Sequence, residues 1–163
     1  MAKYSKPWTP IQASTVLELV GKDEQIDDGD FGAEVELSLN ASQSEVSGEL
    51  LSFLFTAAET GSGAILPSHG WLLIFDTDPS ITSGDTAITA AEGNTLVGQV
   101  EVLAADWIVD ATSGHAYIFD QPVPFHANDI LYLAWYHDSA TGINDGAGDD
   151  ETLSVRVWYR QES

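Results

Sequence analysis

The chain has 163 residues, 44% of them hydrophobic, enough for one domain with a buried core, and it holds no cysteine, so disulfides and thiolate metal sites are excluded. Its formal net charge is -21, with Lys3, Lys6, Lys22, Arg156 and Arg160 as the only basic side chains, so binding to nucleic acid is electrostatically unfavourable. No apolar run approaches the ~20 residues of a membrane helix, and Met1 to Trp8 lacks the apolar stretch of a secretion signal. The expectation is a soluble protein made in the cytoplasm, with neither a membrane nor nucleic acid as partner.

Residues 1–13 carry Lys3, Tyr4, Lys6 and Trp8 together with Pro7 and Pro10 and read as an extended N-terminal arm; residues 14–163 read as one β-sandwich domain. Thr15–Val20 is a first strand and Gly21–Asp30 an acidic loop. Ala33, Val35, Leu37 and Leu39 alternate with polar residues, the pattern of a strand with one wet face. Ser42–Ser47 is a polar connection, Glu49–Thr56 a strand apolar on both sides, and Ala57–Pro67 a loop. Trp71–Phe75 is a short buried strand, followed by a long excursion, Ser80–Asn94, with a helical turn near Thr89–Glu92.

Thr95–Leu103 is a strand in which Gly98 marks a bulge or a close backbone approach. Trp107–Val109 and His115–Phe119 form a hairpin across Asp110–Gly114, with the glycine in the turn. Gln121–Phe125 is extended but lies off the centre of any sheet, because Pro122 and Pro124 have no N–H to donate. Asp129–Asp138 is apolar or aromatic on both parities and so reads as a central strand, covered on both sides. Leu153–Tyr159 is the last strand, expected beside Asp129–Asp138 as an antiparallel neighbour. The fold class is therefore all-β: an antiparallel two-sheet sandwich, a jelly roll of eight to nine strands, with an immunoglobulin-like sandwich as the alternative.

The acidic loop offers Asp27, Asp28 and Asp30 as oxygen donors for calcium, and Asp145, Asp149 and Asp150 form a second set. Aligned on Gly29, an EF-hand would need carboxylates where Ile26 and Val35 stand, so that motif is excluded; a solvated acidic loop is the preferred reading, and no cofactor is assigned. His69, His115, His126 and His137 have no ligand spacing, and no GxSxG, Walker or GxGxxG motif is present. A hydrolase acting through paired carboxylates has nothing to position them against, so the expectation is a protein that is not an enzyme. Four of the five tryptophans fall inside strand patterns, where core packing explains them; Trp8 does not.

Three segments carry a resemblance: Phe75–Ala87 (FDTDPSITSGDTA), Gln121–His126 (QPVPFH), and the tail from Ala147 through Val157-Trp-Tyr-Arg160. They resemble small structural virion proteins of marine tailed bacteriophages, over about residues 70 to 163. The resemblance implies a capsid decoration, or cement, protein on the outer surface of an icosahedral head, made in the host cytoplasm. Its implied partners are the major capsid protein and further copies of the chain, as a trimer. Capsid contact is expected from Lys3, Tyr4, Lys6 and Trp8, supported by Arg156 and Arg160, a basic pole that forms if the chain ends meet. The alternative is a receptor- or glycan-binding module of a head fibre, knob or tail tip, using the loops Ala57–Pro67, Ser80–Asn94 and Ser139–Asp150.

Overall fold

The computed structural model describes residues 7–39, 45–61, 69–110, 112–144 and 150–162. In chain order the strands are β1 (Gln12–Ala13), β2 (Leu17–Val20), β3 (Val35–Ser38), β4 (Val46–Glu59), β5 (Gly70–Phe75), β6 (Leu96–Val102), β7 (Trp107–Val109), β8 (Ser113–Ile118), β9 (Val123–Ala127), β10 (Ile130–His137) and β11 (Glu151–Gln161). One helical turn, α1 (Ala90–Gly93), lies between β5 and β6. All strand pairs are antiparallel, and they form two sheets.

In the larger sheet, β1 and β2 follow one another along one edge of β11, and β11 pairs with β4. The other edge of β4 is shared by β9 and β8, and β7 lies beyond β8. The smaller sheet runs β3-β10-β5-β6. The two-sheet antiparallel sandwich is as expected. The described residues hold eleven strands rather than eight or nine, because two rows are interrupted. Between β1 and β2, Ser14 turns its side chain into the ladder: its Oγ accepts from Val157 N at 3.0 Å. Between β8 and β9 the chain passes Pro122, which has no donor, and Pro124 is held within β9 because that strand pairs only with β4.

The strand over Asp129–Asp138 is central, as expected, but its neighbour is not the last strand. β10 pairs with β3 and β5, whereas β11 pairs with β1, β2 and β4 in the opposite sheet. Two apolar faces tell that a strand is covered on both sides; the connection after it decides the sheet. Here β10 and β11 lie in different sheets, and contact between the sheets is made through the core, where Trp135 of β10 meets Phe55 of β4 with ring centroids 5.8 Å apart.

Two boundaries also moved. β4 starts at Val46 and runs to Glu59, taking in residues expected in connections, because Val46 and Ala57 turn inward and are buried. Gly114 lies in β8 rather than in the hairpin turn, facing Val109 and Ala57. The turn is built by Asp110, whose Oδ1 accepts from Thr112 N and Ser113 N, each at 2.9 Å, and these two bonds hold its carboxyl below the usual range. Gly98 carries both features expected of it. The β5–β6 register shifts beside it, and a Cβ there would meet Val123 Cγ1 at 2.3 Å.

The core between the sheets includes Phe53, Phe55, Leu131, Leu133, Trp135, Val155 and Val157, all fully buried. Each such side chain contributes about 1.5–3 kcal/mol relative to an exposed position. A second, smaller apolar cluster lies on the outer side of the smaller sheet, where Leu73, Phe75 and Ala134 are covered by Phe31 and Ile81. The excursion that carries Ile81 is pinned by backbone bonds: Phe31 N donates to Asp85 O at 2.7 Å and Gly84 N to Phe31 O at 2.8 Å. Its helical turn falls where expected and is closed by a capping box between Thr89 and Glu92.

Candidate docking surface

Strand alternation gives every residue of the larger sheet an inner or an outer side. In β11, Leu153, Val155, Val157 and Tyr159 are buried, which turns Ser154, Arg156, Trp158 and Arg160 outward. Register then fixes their neighbours. Arg156 faces Leu54, and Leu54 faces Tyr117; Ser154 faces Thr56, Thr56 faces His115, and His115 faces Ile108.

Nothing in the described chain covers this outer side. Tyr117 is 54% exposed, Phe119 69% and Ile108 81%. The rings touch: Tyr117 is 5.7 Å from Phe119 and meets Trp158 edge-on at 6.1 Å, while the Arg156 guanidinium lies 5.4 Å from the Trp158 centroid. Arg156 is steadied by its Nε, which donates to Ser14 O at 3.2 Å.

The two described chain ends meet at one edge of the same sheet. Trp8 forms a bridge with Glu162, and Thr9 N donates to Gln161 O at 2.8 Å. Residues 8–13 thus lie along β11 rather than away from the domain. The Arg160 guanidinium sits 4.3 Å from the centre of the Trp8 ring and pairs with Glu49 Oε2 at 2.7 Å. Of the residues expected to bind a capsid, Trp8, Arg156 and Arg160 are therefore brought to one side of the molecule. Lys3, Tyr4 and Lys6 lie outside the described residues.

The opposite outer side is acidic where it is not sealed. Glu34 Oε2 accepts from Ile81 N at 2.7 Å, and its carboxyl interacts electrostatically with that of Asp78. Burial pushes Glu34 up from its ordinary value, with the Ile81 bond opposing; Ser80 N–H and then Glu34 hold Asp78 down. Tyr132, at the floor of a shallow cleft of about 190 Å³ beside Asp76, Asp78 and Asp129, is pushed up by burial and then by Glu36, Asp78 and Glu34.

The calcium candidates serve the loop itself. Asp27 N donates to Asp30 Oδ2 at 3.1 Å, Asp30 N donates to Asp27 O at 3.1 Å, and Asp28 is exposed. The loop is anchored by Ile26, fully buried and bridged to Ile143, and by Asn144, whose Nδ2 donates to Gly21 O and Glu24 O. Asp145 and Asp149 lie outside the described residues; Asp150 N donates to Glu59 Oε1 at 3.1 Å. Among the described residues no three His, Cys, Asp or Glu side chains gather in a way that could hold a metal.

His137 is buried, with Nε2 2.8 Å from Thr141 O and Nδ1 accepting from Trp135 Nε1 at 3.4 Å, which fixes the tautomer with the proton on Nε2. His69 stands between Glu101 at 3.0 Å and Asp138 at 3.2 Å. The other two lean on strand hydroxyls, His115 on Thr56 and His126 on Ser47. Of the tryptophans in strands, Trp107 and Trp135 are buried, whereas Trp71 and Trp158 are only half-buried.

Tyr117, Phe119, Leu54 and Ile108 were not singled out from sequence. The signal available was faint: His115, Tyr117 and Phe119 share one parity, Ala116 and Ile118 the other, and both are apolar enough to face a core. Among the described residues no helix is long and apolar enough to cross a membrane.

These features define a two-sheet antiparallel β-sandwich with one open, aromatic outer face. No family model and no curated protein matches the chain. Among solved structures, dimeric latent PorU from Porphyromonas gingivalis is similar at 9% identity and a TM-score of 0.41, over 99% of this chain and 14% of that one. A chain from Desmodium yellow mottle tymovirus is similar at 11% identity and a TM-score of 0.37, over 100% and 92% of the two chains. At that identity neither likeness bears on function.

Proposed function

We propose that this chain is a virion structural protein that decorates the outer surface of an icosahedral phage head by binding its major capsid protein. The observation that carries the reading is the meeting of the chain ends: in a protein of net charge -21, Arg156, Arg160 and Trp8 come to one side of one sheet. Trp, Tyr and Arg are the residues that dominate protein–protein contacts when buried together, and a cationic pole on an acidic body orients docking onto an acidic shell. Lys3, Tyr4 and Lys6 would extend that pole. The role is non-catalytic and needs no cofactor.

The strand order supports reading the sandwich as a jelly roll. Counting β1 with β2 and β9 with β8 as single rows, with β7 as an appended hairpin arm, the chain is a long hairpin whose first row pairs with its last, second with seventh, third with sixth and fourth with fifth. That is the wrapping of jelly rolls, a fold used by viral capsid and lectin domains among others. The resemblance of Phe75–Ala87, Gln121–His126 and the C-terminal tail to virion proteins of marine tailed phages supports the same role.

The exposed rings also favour a second reading, a glycan- or receptor-binding module. It is the weaker one, because Trp158 and Tyr117 stand 89° apart and Arg156 lies over Trp158, which leaves no flat stacking platform.

The test uses particles lacking the protein, to which purified chain is added back and occupancy counted by cryo-electron microscopy. Removing residues 1–10, or combining Trp8→Ala with Arg160→Ala, is expected to leave a folded domain that no longer binds. Normal occupancy by both variants would defeat the reading, and glycan-array binding without particle binding would favour the second.

A further inference from the structure

One edge of the larger sheet is open to a further strand. β1 is the outermost strand there, and Ser14 N donates to Val157 O at 2.8 Å, so the Ser14 backbone faces β11. Backbone groups alternate in direction along an antiparallel strand. Gln12, two residues back and paired with Tyr159, therefore also faces β11, and the N–H and C=O groups of Ile11 and Ala13 point away from the sheet. Both residues are exposed, and no described residue bonds to these four groups.

Beside this edge stands a cation without a counter-ion. Arg160 is paired with Glu49 at 2.7 Å, but the ion pairs among the described residues do not include Arg156, although the chain has 26 acidic residues. Arg156 Nε donates to Ser14 O at 3.2 Å, and the guanidinium lies 5.4 Å from the Trp158 centroid, so the side chain is drawn across onto the β1 row. The N–H donors on its two Nη atoms have no acceptor among the described residues. A planar fork of this kind fits a carboxylate.

We infer that the β1 edge binds an extended, acid-bearing segment of a partner protein, which adds to the larger sheet as a further strand and sets a carboxylate against Arg156. Main-chain bonds to Ile11 and Ala13 hold the segment, and the pair with Arg156 selects its charge. In a chain of net charge -21, Pro7 to Leu17 contains no ionisable residue, so an acidic strand meets no carboxylate of this row. For the same reason a second copy aligned edge to edge is a poor occupant, because its own β1 row has no carboxylate to offer Arg156. Other edges differ. β7 is bounded by Asp106 and Asp110. On β6 the Gln121 side chain takes the place of a strand, with Oε1 accepting from Glu101 N and Nε2 donating to Glu101 O, each at 3.0 Å. On the shell reading, which this deepens and on which it rests for the identity of the partner, the segment belongs to the capsid protein.

The experiment titrates the isotope-labelled full chain, followed by NMR, with a capped eight-residue peptide of alternating valine and glutamate. Saturable shifts and slowed exchange are expected at the Ile11 and Ala13 amides, with a dissociation constant of about 1 mM or below. Glutamine in place of glutamate is expected to weaken binding about tenfold, as loss of a charge-assisted bond does. In Arg156→Gln, at an exposed position, the two peptides are expected to bind alike. A peptide N-methylated at every residue has no main-chain donors, and it is expected to cause no shifts while leaving the protein unaltered. No shift at Ile11 and Ala13 up to about 5 mM would overturn the proposal. So would glutamine or N-methylated peptides that bind as well as the parent. Ile11 and Ala13 amides already protected in a two-chain assembly of the free protein would also overturn it, since a copy would then hold the edge. A successful titration with a failed particle add-back defeats the shell reading alone; a failed titration with normal add-back defeats the strand addition alone.

Discussion

The two outer sides of the sandwich start from similar material and end differently. β5 and β10 turn Leu73, Phe75, Ala134 and the edge of Tyr136 outward; β4, β8 and β11 turn Leu54, Tyr117 and Trp158 outward. The first set is buried because the excursion after β5 folds back and lays Ile81 over it, with Phe31 packed 4.9 Å from Tyr136. Among the described residues, the second set has no such cover. An apolar outer face is therefore not in itself a binding surface; what matters is whether the chain supplies its own lid.

The sharpest way to break this contrast is truncation on each side. Phe75→Ala, at a fully buried position, is expected to cost about 3–5 kcal/mol, whereas Phe119→Ala should stay within about 0.5 kcal/mol. Urea unfolding of both variants measures it, and equal costs would erase the distinction. Ile81→Ala should cost about 2 kcal/mol and make the sealed face bind a hydrophobic dye. If dye binding stayed at the wild-type level, the excursion would not be the cover.

Arg160→Ala removes the Glu49 pair and the contact over Trp8 in a partly exposed setting, so a loss of about 1 kcal/mol or less is expected. The accompanying shift in Trp8 fluorescence is the more direct readout. The smallest effect expected is electrostatic. Glu34 is raised above 4.5, chiefly by burial. Its contribution is thus favourable at pH below 4.5 and is lost as pH rises through the higher folded value. Glu34→Gln keeps an oxygen for Ile81 N–H and removes that loss, so it should raise the melting temperature at pH 7 and change it little at pH 4. Asp78 works in the opposite direction: its value lies below 3.8, so its contribution is present above that pH and fades as pH falls. A melting difference that grew towards pH 4 would mean that Glu34 is not the group responsible.

Much of the fold was legible. The strands over Ala33–Asn40, Trp71–Phe75, Thr95–Leu103 and Asp129–Asp138 lie close to where alternation and loop-formers placed them, and the turn near Thr89–Glu92 is helical. The candidate surface was half legible. Trp8, Arg156 and Arg160 stood out because cations are so few in this chain, but Tyr117, Phe119, Leu54 and Ile108 did not. The segment His115–Phe119 is apolar on both parities, and only Ala116 and Ile118, by facing Phe55 and Phe53 in the core, leave Tyr117 and Phe119 on the outside.

The sequence by itself determined that the chain is β throughout, that β10 and β11 are inner strands, and that its charge is acidic with cations at the ends, since these follow from local periodicity and composition. Only the tertiary structure decided that β10 and β11 lie in opposite sheets, which side of β8 meets the core, and which outer face is roofed. Those outcomes depend on pairings between residues far apart in the chain. A two-residue alternation records that a strand has two sides, but not what will be packed against either of them.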